Sequence, residues 1–311
     1  MKVARFVQEG GQPRFGILDG DEIVPLAGDP MFAGYETLNE RIPLVDVDYL
    51  APVIPRSKAV GFVPAVADPD AVDPDAVGPD AVWPGVVGPG VGRRGAAGPA
   101  AEGPGAAGRP GSDPVTSHPA AVGPAAAAAA APGSADEPAE PILYLEPNTA
   151  VVGPGDSIRV PDGIGTVQAF GALAIVIGAL ARDVRPDDAA QVVFGYTVAN
   201  DVTATDLAAA DGQWARAKSY DSFLPLGPVI ETELDADAVE IIIDIDGDER
   251  RRGTLAADVR TAVAQASAVM TLLPGDVILI PLLAGVELDE GVTVEVTIPA
   301  IGTLRSDVRA R

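Results

Sequence analysis

One segment carries most of the polar residues whose types and spacing could support chemistry. Residues 194–228 read FGYTVANDVTATDLAAADGQWARAKSYDSFLPLGP. Tyr196 to Val198 form an apolar, β-branched run that predicts a buried strand, and we expect Asn200 and Asp201 to end it. Polar groups delivered by a rigid sheet are well placed to act in a cavity. Asp201 and Lys218 are therefore the candidate functional pair of this segment.

The pair has two interpretations. If Asp201 does not neutralise it, a lysine in apolar surroundings gives up its proton more readily, and Lys218 could act as a catalytic acid or base. If Asp201 does neutralise it, the two residues form a structural ion pair that stabilises the strand. The sequence leaves both interpretations open.

Composition excludes several classes of partner. The chain has 311 residues, of which 47% are hydrophobic, and a formal net charge of -24. This charge disfavours binding to nucleic acid or to an anionic membrane surface. The chain has no cysteine, and its first residues show neither a signal peptide nor a membrane span. These features predict a soluble, cytoplasmic protein without disulfides or a cysteine-ligated metal.

Three parts of the chain differ in composition. Residues 1–56 predict a small β-rich domain, with strands at Val3 to Val7, Arg14 to Leu18 and Glu22 to Leu26 and a hairpin turn at Asp19-Gly20. Residues 64–141 are rich in Ala, Gly and Pro, with a proline at every fifth residue from Pro64 to Pro89. Such spacing blocks helices and sheet ladders, so we predict a disordered insert. Residues 57–63 and 142–311 then form the main domain.

The main domain is predicted to be mostly strand. Apolar runs predict strands at Ile142 to Leu145, Leu173 to Ile177, Glu240 to Ile245, Val277 to Ile280 and Val292 to Ile298. Asp246-Gly247 predicts a hairpin turn. Apolar residues at helical spacing predict one helix from Val259 to Leu273, ended by Pro274-Gly275. Many strands and few helices indicate an α+β, mainly β, fold.

Several motifs resemble those of the fumarylacetoacetate hydrolase superfamily, and within it the 2-hydroxyhepta-2,4-diene-1,7-dioate isomerase-like proteins. The similar stretches are GYTVAND, DGQWARAK and FLPLGP, together with SKAVGF, ILYLEPNTAVVGPGD, LAIVIG, MTLLPGDVIL and IGTLRSDV. The resemblance implies a mixed β-sandwich rolled around a central cavity. It also implies a metal-binding role for Asp201, a substrate contact for Gln213 and an action of Lys218 on the developing enolate.

The resemblance also implies a Mg²⁺ or Mn²⁺ ion held by carboxylates, and here the sequence departs from the family pattern. Phe170 and Ala172 occupy the positions of the two glutamates of an E-x-E motif. Pro69 and Val72 occupy the positions of a catalytic His and Glu. We therefore expect a weak, vestigial metal site at Asp201 or none, and no required cofactor. The single histidine, His118, lies in the insert and replaces none of these residues.

Two further departures concern substrate binding. Pro281 and Leu282 stand where the family has a glycine and a threonine that grip a substrate carboxylate, and Glu146 stands where a lysine is common. Phe170 and Leu282 would instead give an apolar lining to the substrate cavity.

Three functions follow from this pattern. The first is a non-catalytic subunit that binds a small molecule or a protein, as a homodimer or a heteromer with an intact paralogue. The second is a metal-independent isomerase or cyclase that uses Lys218 as acid or base. The third is an ordinary hydrolase, isomerase or decarboxylase of 2-oxo acids.

Overall fold

The computed structural model describes residues 1–63, 142–236, 239–255 and 257–311. The predicted insert at residues 64–141, with Pro69, Val72 and His118, lies outside the described residues. Within the described ranges the chain is mainly strand, arranged in two sheets of thirteen and five strands. This confirms the predicted mainly β fold.

The larger sheet has a central run of antiparallel strands extended at both sides. Its strands are β1 (Lys2–Val7), β2 (Arg14–Asp19), β3 (Glu22–Pro25), β4 (Ile42–Pro43), β5 (Asp48–Leu50), β6 (Ala59–Val63), β7 (Ile142–Glu146), β8 (Val151–Val152), β10 (Val167–Ile177), β11 (Val193–Ala204), β12 (Leu224–Glu231), β15 (Val277–Pro281) and β16 (Val286–Glu287). Their main order is β4-β3-β2-β1-β12-β11-β10-β15-β6-β7. Strand β6 runs parallel to β15, so the sheet is mixed.

The smaller sheet contains β9 (Ile158–Val160), β13 (Glu240–Ile245), β14 (Asp248–Thr254), β17 (Thr293–Ile298) and β18 (Gly302–Ala310), in the order β14-β13-β17-β18-β9. Four α-helices lie among the described residues: α1 (Pro30–Ala33), α2 (Thr205–Asp211), α3 (Ala215–Lys218) and α4 (Val259–Val269). None of them is long and apolar enough to cross a bilayer.

Strand β10 lies inside the larger sheet, between β11 and β15, and all eleven of its residues are buried. A strand covered on both faces reads as a continuous apolar run rather than an alternating one. At Gly171 the two sheets come close together, since a Cβ there would lie 2.8 Å from Ile241 Cγ2 and 3.0 Å from Val296 Cγ1 of the smaller sheet. The apolar core therefore fills the space between two stacked sheets.

The amino-terminal strands extend the larger sheet. Strand β1 pairs antiparallel with β12, with Lys2 opposite Glu231. The predicted hairpin at Asp19-Gly20 joins β2 and β3, and Gly20 has the positive φ of 63° that such a turn requires. A domain boundary at residue 56 stays a prediction.

The predicted helix from Val259 to Leu273 is too long. Helix α4 begins after Asp258, whose carboxylate accepts a hydrogen bond from Thr261 N at 2.8 Å, and it ends at Val269. Beyond the helix the backbone is extended, because Leu272 forms a β-bridge with Ala181. A tertiary contact, rather than Pro274-Gly275, ends the helix.

The prediction that Asn200 and Asp201 end their strand is wrong. Strand β11 continues to Ala204, and Asn200 and Asp201 pair with Gly171 and Phe170 of β10. Polar side chains did not interrupt the strand because backbone pairing does not depend on side-chain polarity. Asp201 is therefore held in the middle of a sheet, where its position is rigid.

Candidate functional site

The candidate site is built around the ammonium group of Lys218, the last residue of α3. This side chain has no solvent-exposed surface. Its Nζ makes an ion pair with Asp201 Oδ1 and donates a hydrogen bond to Thr203 Oγ1 at 2.7 Å. Glu146 Oε1 lies 3.9 Å from the same nitrogen. The lysine is thus surrounded by oxygen atoms, as a buried cation must be.

Two strands present these oxygen atoms. Asp201 and Thr203 are two residues apart on β11, and Tyr144 and Glu146 are two residues apart on β7. Residues at this spacing point to the same face of a strand. The hydroxyl of Tyr144 donates a hydrogen bond to Asp201 Oδ2, the oxygen that Lys218 does not contact. Both oxygens of Asp201 are therefore already engaged.

Burial controls the charges of the other two groups. The pKa of the Glu146 carboxyl is raised well above its usual value of 4.5 by burial and by the negative charge of Asp201, although Lys218 opposes the shift. Burial, with Asp201 and Glu146, also raises the pKa of Tyr144. Both shifts favour the protonated, uncharged forms of Glu146 and Tyr144.

Glu146 has a further unusual property. Neither of its carboxyl oxygens has a hydrogen-bond partner, although its side chain is buried. A buried carboxyl without such partners is destabilising. Glu146 is therefore the group in the cluster with free hydrogen-bonding capacity.

Aromatic side chains cover the cluster. The ring centroid of Tyr144 lies 4.3 Å from Lys218 Nζ, a cation–π distance, and Trp214 packs beside Tyr144 with ring centroids 6.3 Å apart. Phe170 is fully buried and lies opposite Asp201 in the β10–β11 pairing. Its ring fills the space above Gly285, where a Cβ would lie 2.7 Å from Phe170 Cζ. Aromatic side chains therefore enclose the polar cluster.

The structure brings most of the predicted site positions together. Ala172 pairs with Ala199 of β11 on one side and with Pro281 of β15 on the other. Leu282 is buried and its backbone N–H donates to Gly171 O at 2.9 Å. Of the predicted lining positions, Phe170 pairs directly with Asp201 and Ala172 lies two residues further along the same strand, whereas the side chain of Leu282 packs at Gly253 of β14, where a Cβ would lie 3.1 Å from Leu282 Cδ2.

Gln213 differs from these residues. Its side chain is exposed, and its Oε1 accepts a hydrogen bond from Ala215 N at 2.7 Å, at the start of α3. The amide therefore stabilises the turn that leads to Lys218. A substrate contact by Gln213 stays a prediction.

A divalent cation does not fit this set of side chains. Within the part of the chain that the structure describes, His, Cys, Asp and Glu nowhere gather in a group of three or more that could hold a metal ion. Mg²⁺ needs an octahedral set of oxygen ligands, whereas Asp201 already binds Lys218 and Tyr144. Phe170 and Ala172 offer no oxygen from their side chains.

Sequence reasoning missed Tyr144 and Thr203. A signal for both was present, because each lies two residues from a site residue on a strand: Tyr144 from Glu146, and Thr203 from Asp201. Period-two spacing places such residues on one face.

The stacked mixed sheets and the buried lysine–carboxylate cluster define a β-sandwich protein with an internal polar site. Residues 116–309 match the family model "Fumarylacetoacetate (FAA) hydrolase C-terminal", and residues 1–52 match "Rv2993c-like, N-terminal". The chain belongs to the fumarylacetoacetate hydrolase family.

Individual relatives agree with this assignment. Protein Rv2993c from Mycobacterium tuberculosis is 44% identical over 178 residues, which cover 55% of this chain and 67% of the relative. The mitochondrial oxaloacetate tautomerase fahd2 from Xenopus laevis is 35% identical over 150 residues, 46% of this chain and 47% of the relative. The crystal structure of 5-carboxymethyl-2-hydroxymuconate delta-isomerase from Mycobacterium smegmatis superimposes with a TM-score of 0.73 at 30% identity and covers 100% of both chains.

Proposed function

We propose that this protein is a family member that does not carry out metal-dependent C–C bond chemistry and that acts as a non-catalytic binding or partner subunit. The observation that supports this proposal is the complete engagement of Asp201 by Lys218 and Tyr144. Under the proposal the ammonium of Lys218 supplies the positive charge that a divalent cation would otherwise supply. Its partner is a small molecule or a protein, in a cytoplasmic homodimer or a heteromer with an intact paralogue.

Electrostatic repulsion supports the same conclusion. Two unit charges 4 Å apart interact with about 4 kcal/mol at an effective dielectric constant of about 20. A divalent cation brought to Asp201 beside Lys218 would therefore be repelled by about 8 kcal/mol, twice that value. Asp201 already contacts Lys218, and the raised pKa of Glu146 favours the uncharged form of that group. The attraction of the same cation to the Asp201 carboxylate is of similar size, so the ion pair as a whole gives a divalent cation no net electrostatic attraction.

Calorimetry with MgCl₂ and MnCl₂ tests the proposal. We expect no saturable heat from the wild type and no tautomerisation of oxaloacetate, with or without either metal. Metal-dependent turnover above the buffer rate would identify the protein as an ordinary hydrolase or isomerase and would refute the proposal. Gel filtration of the protein, alone and from cell extract, distinguishes a homodimer from a heteromer.

The alternative proposal is a metal-independent isomerase. It is supported by Glu146, a buried carboxyl with raised pKa and no hydrogen-bond partner, which lies next to Lys218. A keto–enol isomerisation needs one group that donates a proton and one that accepts it, and these two residues could supply both. Turnover without metal that is abolished in both E146Q and K218M, with both variants folded, would favour this enzyme over the subunit.

A further inference from the structure

A second candidate site lies where the amino-terminal strands meet the rest of the larger sheet. It is a cavity of about 180 Å³, bordered by β1, β2, the start of α1, residues 53–56 and Gly275. Pockets for drug-sized ligands have volumes of roughly 300–1,000 Å³, so this cavity suits a smaller molecule. Ile54 and Arg56 at its border are exposed, which leaves the cavity open to solvent.

Two arginines line the cavity, Arg5 and Arg56. Within the described ranges neither takes part in an ion pair, whereas arginines such as Arg14 and Arg252 are paired with glutamates. The chain carries 45 acidic residues against 21 basic ones, so partners for arginine are abundant. Two guanidinium groups left unpaired at one cavity are therefore available to an external anion.

The side chain of Arg56 is held in place before any ligand binds. Its guanidinium carbon lies 3.9 Å from the ring centroid of Phe32, a stacking arrangement that arginine favours. Its aliphatic part crosses Gly275, where a Cβ would lie 3.5 Å from Arg56 Cγ. Less rotamer freedom remains to be lost when Arg56 binds an anion.

The charges and walls of the cavity select the ligand. Asp29 also lines it, with one carboxylate oxygen that accepts a hydrogen bond from Met31 N at 3.0 Å. Two arginines and one aspartate leave a single net positive charge, which suits a monoanion better than a dianion. Phe15, Met31 and Val53 supply apolar walls. We propose that this cavity binds a small monocarboxylate with a short aliphatic chain, whose carboxylate contacts both arginines.

This site shares no residue with the Lys218 cluster and does not depend on the proposed function. Arginine matches a carboxylate with two parallel hydrogen bonds, which gives the site its preference for carboxylates over neutral molecules. The cavity would let the protein respond to a small acid without any opening of the buried cluster.

A ligand-observed NMR titration of the full-length protein with butanoate tests the proposal. We expect saturable binding with a dissociation constant on the order of 1 mM, and about tenfold weaker binding in R56Q and in R5Q. R159Q, which changes an exposed arginine outside the cavity, should bind as the wild type does. Because Arg56 is exposed, R56Q is expected to fold, and this variant decides the test even if R5Q does not.

Two controls define the ligand class. Butan-1-amine, which has the same chain but a positive charge, should not bind, and inorganic phosphate should bind more weakly than butanoate. Unchanged affinity in R56Q, the absence of saturable butanoate binding, or tighter binding of phosphate would each overturn the proposal.

Discussion

Replacing Lys218 by methionine tests whether the buried ion pair stabilises the fold. Methionine keeps a similar length and removes only the ammonium. Asp201, which is fully buried, then retains the Tyr144 hydroxyl but no cation. Removing one member of a buried ion pair typically lowers the free energy of unfolding by about 3–5 kcal/mol. We expect a loss in this range for K218M.

The partner variants separate loss of the pair from loss of one charge. In D201N the lysine keeps Thr203 at 2.7 Å, and Glu146 at 3.9 Å can ionise to replace the missing carboxylate. D201N should therefore be less destabilising than K218M. The double variant removes both charges, so its loss should be smaller than the sum of the single losses by about 2 kcal/mol.

Urea unfolding followed by circular dichroism measures these changes. With a slope of about 2.5–3 kcal/mol per M, K218M should lower the midpoint by about 1–2 M. The control is R185M, which breaks the exposed Arg185–Asp188 pair and should leave the midpoint unchanged, since exposed pairs contribute little. A loss below about 1 kcal/mol in K218M, or strictly additive single variants, would refute the structural role of the pair.

Three further predictions concern the same cluster. Because the folded-state pKa of Glu146 is raised, its contribution to stability falls as the pH rises above 4.5 toward that raised pKa. E146Q should therefore gain stability relative to the wild type as the pH rises above 4.5, and a difference that does not change with pH would contradict this. Y144F removes the hydrogen bond to Asp201 Oδ2 and should cost about 1–3 kcal/mol in urea unfolding, whereas a neutral effect would show that Asp201 does not need this donor. F170E/A172E restores two carboxylates beside Asp201, and we expect Mn²⁺ to raise the melting temperature of this variant but not that of the wild type; equal shifts would show that the ligand positions are assigned incorrectly.

Local sequence patterns predicted those strands whose own side chains are apolar. The Glu240 to Ile245 run was predicted at the bounds that β13 has, because four of its six residues are isoleucines, a β-branched type that favours strands. The following strand, β14, was missed because its sequence, DERRRGT, is almost entirely charged. It is a strand because β13 pairs with it, and Arg252 is neutralised by Glu240 and Glu249. A neighbour, rather than its own composition, determines its conformation.

The candidate site was predicted only in part, because some of its contacts also depend on how distant strands pair. Asp201 and Lys218 stand 17 residues apart in a recognisable motif, whereas Tyr144 lies 57 residues before Asp201, on the strand that follows the insert. The motif spacing indicates the Asp201–Lys218 pair. The contact between Tyr144 and Asp201 follows only from the strand order β11-β10-β15-β6-β7, which places β7 in the same sheet as β11. The engagement of both Asp201 oxygens could not be predicted without that topology.

Charge balance links the two departures from the family pattern. The resemblance implies two glutamates at the positions of Phe170 and Ala172 and a divalent cation bound to them. Replacing both glutamates removes two negative charges, and under the proposed function no divalent ion supplies two positive ones, so these two changes cancel. Glu146 in place of a lysine removes one further positive charge. What remains is one ammonium and one carboxylate, Lys218 and Asp201, in direct contact. Glu146 fits this balance only as a neutral acid, which is the state that its burial and its raised pKa favour. The apolar replacements and the buried lysine are therefore mutually consistent, because each would be destabilising without the other.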